Sequence, residues 1–203
     1  MALAGMTMSA HAALVINEGF DTIYGANGLA AKGWLGVNTS TSGNPNGWFG
    51  GTADVFEAQG GEASSYAAAN YNLDNGSSRA ISAWLYSPVF DATGGATVTF
   101  WLRGAQDDTY FDKVNYGFLL NGALVSMTAL NPVSQDGWTQ YSATLGADTV
   151  GMARFAIQYA SNAVDANYVG LDSVNITSVP EPASLALLGF GALGLGIARR
   201  RRA

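Results

Sequence analysis

Short runs in which apolar and polar residues alternate recur along most of the chain. Four examples are Ala96–Leu102, Gly137–Ala143, Met152–Tyr159 and Tyr168–Thr177, and between them they are rich in Val, Thr and aromatic residues. This alternation is typical of β-strands, and Gly, Asn, Asp and Ser separate the runs as turn residues do. About ten such runs occur at short spacings, without an amphipathic helix of useful length. The pattern predicts an all-β domain, a two-sheet jelly-roll sandwich, with a barrel as the alternative.

One β-hairpin is predicted with particular clarity. Two strand-like runs, Lys113–Leu120 and Ala123–Thr128, are separated only by Asn121 and Gly122. A two-residue hairpin turn of type I′ needs positive φ at both central positions, which Asn and Gly accept most easily. We therefore expect these two runs to be neighbouring antiparallel strands.

The C-terminus combines a Pro-Glu-Pro motif, an uncharged apolar stretch at residues 183–198, and four arginines. The motif is Pro180, Glu181 and Pro182, and the arginines are Arg199, Arg200, Arg201 and Arg202. A helix of sixteen residues is about 24 Å long, a little shorter than a bilayer core of about 30 Å. Arginines stay on the cytoplasmic side of a membrane helix, so the pattern predicts a short C-terminal transmembrane helix with the preceding chain outside the cell. A buried core helix is the alternative, although the glycines of this stretch disfavour it.

The order of these three parts, over residues 180–203, resembles the PEP-CTERM sorting signal. The resemblance implies that an exosortase, a membrane protease, recognises this tail and cuts near the Pro-Glu-Pro motif. The protein would then pass to the cell surface or to an extracellular polysaccharide matrix. By this resemblance the seven motif and arginine residues are recognition elements for processing and have no catalytic role.

Residues 1–12 predict the remnant of a signal peptide. Ala2–Met8 is a short apolar stretch, and Ala10, His11 and Ala12 form a small-x-small cleavage site. No Lys or Arg precedes the apolar stretch, so we expect the natural start to lie upstream of Met1; an ordinary N-terminal arm is the alternative. Without both ends, residues 13–179 remain, a length that suits one domain.

Composition narrows the function of this domain. Residues 13–179 contain five basic against fourteen acidic residues, and such a surface repels the phosphates of nucleic acids. The chain has no cysteine, and its single histidine, His11, lies in the predicted signal segment. Disulfides, thiolate or histidine metal sites and Ser-His-Asp triads are therefore excluded.

Several short sequence segments, taken in their order along the chain, carry a second resemblance to a known family. These phrases are Asn17–Asp21, Gly33-Trp34, Trp48-Phe49, Ser64–Tyr66, Ala83–Asp91, Val98–Leu102, Phe111–Val114, Gly137-Trp138 and Val169–Ile176. Together they are similar to the jelly-roll domain of choice-of-anchor J and cleaved-adhesin proteins, relatives of MAM-type sandwiches. We expect the aromatic residues, including all five tryptophans, to be core anchors.

The second resemblance also implies calcium near the meeting of the first and last strands. Glu18, Asp21 and Asp172 occupy the matching phrases, and carboxylate oxygens are ligands that calcium prefers. The alternative is that Glu18 and Asp172 are ordinary polar residues at strand ends. A second acidic group lacks the glycine of an EF-hand loop and is expected to be a solvated loop: Asp107, Asp108 and Asp112.

Three functions fit this sequence. The first is a non-catalytic surface or matrix protein that adheres to or binds carbohydrate, and it requires no catalytic residue. The second is a glycosidase or polysaccharide lyase, for which a pair of carboxylates suffices, but fourteen acids make a chance pair unavoidable. The third is a self-assembling matrix component. We expect the first, and therefore no enzyme.

Overall fold

Two antiparallel sheets pack face to face in the computed structural model, which describes residues 13–23, 28–40, 47–73, 80–130 and 132–179. The first sheet contains β1 (Ala13–Glu18), β3 (Phe49–Gly50), β4 (Ala67–Asn70), β7 (Ala96–Gly104), β10 (Thr139–Leu145) and β12 (Tyr168–Ser178). The second sheet contains β2 (Leu35–Asn38), β5 (Ala80–Tyr86), β6 (Phe90–Asp91), β8 (Val114–Leu120), β9 (Ala123–Leu130) and β11 (Met152–Asn162). The predicted all-β sandwich is confirmed.

Strand order places the first and last strands of the chain side by side. In the first sheet the order is β10-β7-β12-β4-β3, and β1 pairs with the later part of β12. In the second sheet the order is β2-β5-β11-β8-β9, and β6 pairs with the start of β11. The helical segments of the described chain are α1 (Gly28–Ala31) and a 3₁₀ turn at Tyr71–Leu73. No helix among these residues is long and apolar enough to cross a membrane.

The core lies between the sheets and is strongly aromatic. The ring of Phe100 contacts those of Tyr116 and Phe155, with centroids 4.9 and 4.8 Å apart. Trp34 and Trp48 are also buried, and the Trp48 indole donates a hydrogen bond to a backbone carbonyl of β5. Tilted and edge-on ring contacts of this kind add to the hydrophobic stabilisation of the core.

The predicted hairpin is confirmed as β8 and β9. Asn121 and Gly122 form its turn, with φ of 49° and 86°. Positive φ at both positions is the type I′ geometry whose twist matches that of the strands.

Three of the five tryptophans differ from expectation. Trp84, Trp101 and Trp138 are half-buried on the outer surfaces of the sandwich and are not core anchors. In β5, for example, Ala83 and Leu85 point inward and are buried, while Trp84 between them points outward. Successive side chains of a strand alternate between faces, so the tryptophan and its neighbours cannot all be in the core.

The segment 51–66 covers part of the outer face of the first sheet and forms a second, smaller aromatic cluster there. The Phe56 ring stacks on that of Tyr66, and the rings of Trp138 and Tyr168 meet Phe56 edge-on. The Trp138 indole donates a hydrogen bond of 2.9 Å to the carbonyl of Glu57. These contacts hold the segment against the start of β12 and against Trp138, which directly precedes β10.

Candidate functional site

Asp172 is the most buried of the three predicted calcium ligands. It lies on the outer face of β12 beneath the segment 51–66 and is fully inaccessible to solvent. Its carboxylate accepts hydrogen bonds from the backbone amides of Gln59, Gly60 and Ser173, at 2.8, 3.2 and 2.6 Å. Burial, helped by the negative charge of Asp21, raises the pKa of Asp172 to about 6, although the three amides favour the charged form.

Asp21 lies near Asp172, but Glu18 is engaged elsewhere. Asp21 is exposed and lines a cavity of about 350 Å³ together with Gly61 and Glu62. The Glu18 carboxylate accepts hydrogen bonds from the Phe20 amide at 2.7 Å and from the Lys32 ammonium group at 2.8 Å. The structure therefore brings Asp21 and Asp172 together, while Lys32 neutralises Glu18.

The fit of these residues to calcium is partial. Among the described residues, no three His, Cys, Asp or Glu side chains are grouped closely enough to hold a metal ion. Asp172 already receives three amide hydrogen bonds and Glu18 receives two. Asp21 is the one predicted ligand whose carboxylate makes no hydrogen bond within the described chain. Calcium binding stays a prediction.

The predicted sorting residues lie outside the part of the chain that the structure describes. This applies to Pro180, Glu181 and Pro182, to the apolar stretch, and to Arg199, Arg200, Arg201 and Arg202. The predicted signal segment, residues 1–12, is likewise outside it.

Asp112 corrects another expectation, because it is buried and not solvated. Its carboxylate accepts hydrogen bonds from the Tyr159 hydroxyl at 2.5 Å and from the amides of Asn167 and Tyr168 at 2.9 and 3.2 Å. Burial raises the pKa of Asp112, while these three donors act in the opposite direction. Asp112 thereby joins two loops, 105–113 and 163–167, at one end of the sandwich. The other members of the group, Asp107 and Asp108, are accessible to solvent as predicted.

Three aromatic side chains at this end of the sandwich are open to solvent, two in the loop 105–113 and one in the 3₁₀ turn that follows β4. Tyr71, Tyr110 and Phe111 are 48%, 41% and 43% exposed, which is unusual for rings of this size. They line two clefts of about 440 and 450 Å³. We call this group the loop-end site; its other polar lining residues are Asp107, Lys113, Asp165 and Asn167.

Hydrogen bonds hold the main chain that carries Tyr110 and Phe111. The Asp107 carboxylate accepts from the amides of Thr109 and Tyr110, which shapes a tight turn before the rings. The Gln135 side chain donates to the carbonyl of Tyr110 at 2.8 Å, and the amide of Phe111 donates to the carbonyl of Asp165 at 2.9 Å. The main chain in this part of the loop-end site is therefore held within the fold itself.

The loop-end site and the end of the described chain lie at opposite poles of the sandwich. β12 begins at Tyr168, beside the site, and ends ten residues later at Ser178, which at the usual rise per residue is about 33 Å away. Ala13 at the start of β1 pairs with Ser178, so the first strand also begins at the far pole.

Sequence reasoning did not identify the loop-end site. The available signal was the pair Tyr110-Phe111 within a loop rich in Asp, because adjacent rings in such a loop cannot both point into a core. No nearby residue in the sequence indicates that Asp112 is buried, because its hydrogen-bond partners lie 47 to 56 residues away.

A comparison with protein families matches only the C-terminus of the chain. Residues 178–202 match the model of the PEP-CTERM protein-sorting motif. No curated protein sequence matches the chain.

Solved structures share the fold at low sequence identity. The K1 cleaved adhesin domain of Lys-gingipain from Porphyromonas gingivalis W83 is 18% identical, with a TM-score of 0.58 over 80% of this chain and 97% of that domain. A structure of carbohydrate-binding modules of the β-sandwich superfamily is 14% identical, with a TM-score of 0.51 over 78% of this chain and 62% of that one. An arabinose-bound α-L-arabinofuranosidase is 14% identical with a TM-score of 0.50, but the match covers only 27% of the enzyme. The chain thus carries a C-terminal PEP-CTERM sorting motif, and its all-β sandwich is similar in fold to cleaved adhesin domains.

Proposed function

We propose that this exported cell-surface protein displays a non-catalytic domain that binds carbohydrate through the loop-end site. The sorting motif supports export to the surface. An exosortase is the processing partner in this proposal, and the C-terminal helix holds the protein in the membrane until the tail is cut. Extracellular polysaccharide is the proposed ligand.

The observation that carries the proposal is the set of three exposed rings beside polar side chains. A sugar presents an apolar C–H face and a rim of hydroxyl groups. The rings of Tyr71, Tyr110 and Phe111 offer the matching apolar surfaces, and Asp165 and Asn167 offer hydrogen-bond partners for hydroxyls. Each cleft is large enough for a small ligand such as one or two sugar units.

Rigid loops strengthen this proposal. Ordering flexible loops on binding costs free energy, and a preformed site avoids that cost. The buried carboxylate of Asp112 ties both loops to β11 and to the start of β12. Asp112 thus acts as a structural residue that holds the loops, and the proposal assigns it no catalytic role.

The two described carboxyl groups whose pKa is raised are not placed to act on a sugar. A glycosidase needs a carboxylic acid of raised pKa that touches the substrate. In the described chain the carboxyls with raised pKa are Asp112 and Asp172, and both are inaccessible to solvent and bonded to backbone amides. Neither can reach a sugar in a surface cleft.

Direct measurement of polysaccharide binding tests the proposal. The purified full chain in mild detergent is run through native gels containing soluble polysaccharides, and Tyr110→Ala and Phe111→Ala are compared with the wild type. Loss of one stacking ring is expected to weaken binding about tenfold. Val150→Ala is the control, because Val150 is 69% exposed and distant from the loop-end site.

Two outcomes would reject this proposal. One is retardation of the wild type that Tyr110→Ala and Phe111→Ala leave unchanged. The other is release of reducing sugar from the polysaccharide, which would show an enzyme.

A further inference from the structure

The outer face of the second sheet carries a second pair of accessible rings. Trp84 and Tyr86 both point outward from β5 and are half-buried. Their rings are parallel to within 4°, with centroids 5.6 Å apart. On the neighbouring edge strand β2, Leu35 and Val37 pair directly with them and are 49% and 37% exposed. The four side chains form one apolar platform.

A chain of hydrogen-bonded polar side chains borders the rings. Gln158 of β11 is directly opposite Trp84, and Asn115 of β8 is directly opposite Gln158. Asn115 donates to the Gln158 side-chain carbonyl at 2.9 Å, and Gln158 donates to the Ser82 hydroxyl at 2.9 Å. Each amide uses only part of its hydrogen-bonding capacity in these contacts, so N–H groups and the Asn115 carbonyl remain for a ligand.

The rows that form this surface contain no charged residue. Across the sheet one row reads Leu35, Tyr86, Ala156 and Gly117, and the next reads Val37, Trp84, Gln158 and Asn115. In a domain with fourteen acids, a surface of rings and amides without any carboxylate does not suit a cation or a basic protein. Parallel rings beside oriented amides suit an uncharged ligand that has apolar faces and hydroxyl groups in regular repetition.

We infer that this platform, formed by Leu35, Val37, Trp84, Tyr86, Asn115 and Gln158, binds a run of neutral sugar units in a linear polysaccharide. The two rings are stacked on each other, so the accessible side of the pair is an apolar surface against which a sugar unit can pack, while the amides bind its hydroxyls. The platform lies on the side of the sandwich and the loop-end site lies at one pole. The inference goes beyond the proposed function, because the platform would bind whether or not the loop-end site does.

Tryptophan substitutions on the two opposite faces give a matched test. The full chain in mild detergent is examined by affinity gel electrophoresis in hydroxyethylcellulose, xylan, β-1,4-galactan and glucomannan. Trp84→Ala and Tyr86→Ala are each expected to raise the dissociation constant about tenfold for at least one of these, and Gln158→Ala a few-fold. Trp101→Ala is the control, because Trp101 is also a half-buried outward tryptophan but lies on β7 of the other sheet.

The outcomes separate the platform from the loop-end site. Weakening by Trp84→Ala without any effect of Tyr110→Ala would support the platform and reject the loop-end site, and the reverse result would reject the platform alone. Thermal unfolding of each variant shows whether it is folded. If the ring variants are not folded, Gln158→Ala tests the platform in their place. The inference is overturned if none of the four polysaccharides retards the wild type, if Trp101→Ala weakens binding equally, or if Trp84→Ala only abolishes self-association in sedimentation without glycan.

Discussion

Among single residues, Asp21 and Asp172 make the stability of the fold depend on pH. Burial and the charge of Asp21 raise the pKa of Asp172 to about 6, against about 4 for an exposed carboxyl. A carboxyl group whose pKa is higher in the folded state binds its proton more tightly when folded. Its contribution to stability is therefore complete below about pH 4 and is lost as the pH rises through about 6.

Neutralising Asp21 should reduce this loss. We expect Asp21→Asn to match the wild type at pH 4 and to be more stable at pH 7 by about a few tenths of a kcal/mol, because the charge of Asp21 is the smallest contribution to the raised pKa of Asp172. Urea unfolding at the two pH values measures the difference. Asp54→Asn is the control, since Asp54 is an exposed acid outside the cavity that Asp21 lines. An equal gain in both variants would assign the effect to total charge.

The same variant tests the calcium prediction. If calcium binds between Asp21 and Asp172, millimolar calcium raises the unfolding temperature of the wild type relative to chelator, and Asp21→Asn loses most of the shift. Glu18 is paired with Lys32 in the structure, so Glu18→Gln tests whether Glu18 is a third ligand: the calcium shift falls if it is and is unchanged if it is not. An unchanged unfolding temperature in the wild type would show that the domain does not bind calcium at this concentration.

The burial of individual side chains is the property that the sequence predicts least well. Asp107, Asp108 and Asp112 look alike in the sequence, yet only Asp112 is buried, because Tyr159 from a distant strand and Asn167 from a distant loop reach it. The five tryptophans are equally alike, and on the outward face of β5 only Ser82 is polar beside Trp84 and Tyr86, so the sequence gives a weak sign that Trp84 points outward. Burial of these side chains is decided by partners that are remote in sequence.

Secondary-structure elements were much more predictable than burial. Strands β7, β11 and β12 lie where alternation placed them, because the two-residue period is a local property of the chain. The two-residue strands β3 and β6 left no such pattern, since they exist only through pairing with β4 and β11. The hairpin β8–β9 was predicted to the residue at its turn, because Asn-Gly has few alternatives.

The left-handed turn of the hairpin should contribute to the stability of the domain. Gly122 has φ of 86°, a region that alanine enters only with strain, so Gly122→Ala should lower the free energy of unfolding by about 1 kcal/mol. Gly146→Ala is the matched control, because an added Cβ meets nothing within 4 Å and Gly146 is not among the described residues with positive φ. Urea unfolding of both variants measures the difference. Equal effects would mean that the left-handed turn is not what holds the hairpin.

For the whole molecule, the direction of β12 relates the proposed binding surface to the sorting tail. The strand starts beside the loop-end site and leads at Val179 into the matched motif. A domain attached through its C-terminus would therefore hold the loop-end rings about 33 Å from the point of attachment. The platform around Trp84 would face sideways, where it could meet a second polysaccharide chain. This arrangement suits a protein that joins a surface to a surrounding matrix.

Removal of the tail tests whether sorting and folding are separate properties. The described core ends with Ile176, and Val179 makes a last backbone hydrogen bond to Gly95. We expect the chain lacking residues 180–203 to unfold at the same temperature as the full chain while losing its retention at the cell surface. Circular dichroism and cell fractionation measure the two properties. Removing only Pro180, Glu181 and Pro182 is the control, and it should leave unprocessed protein in the membrane fraction; loss of folded protein on the longer deletion would show that the tail belongs to the domain.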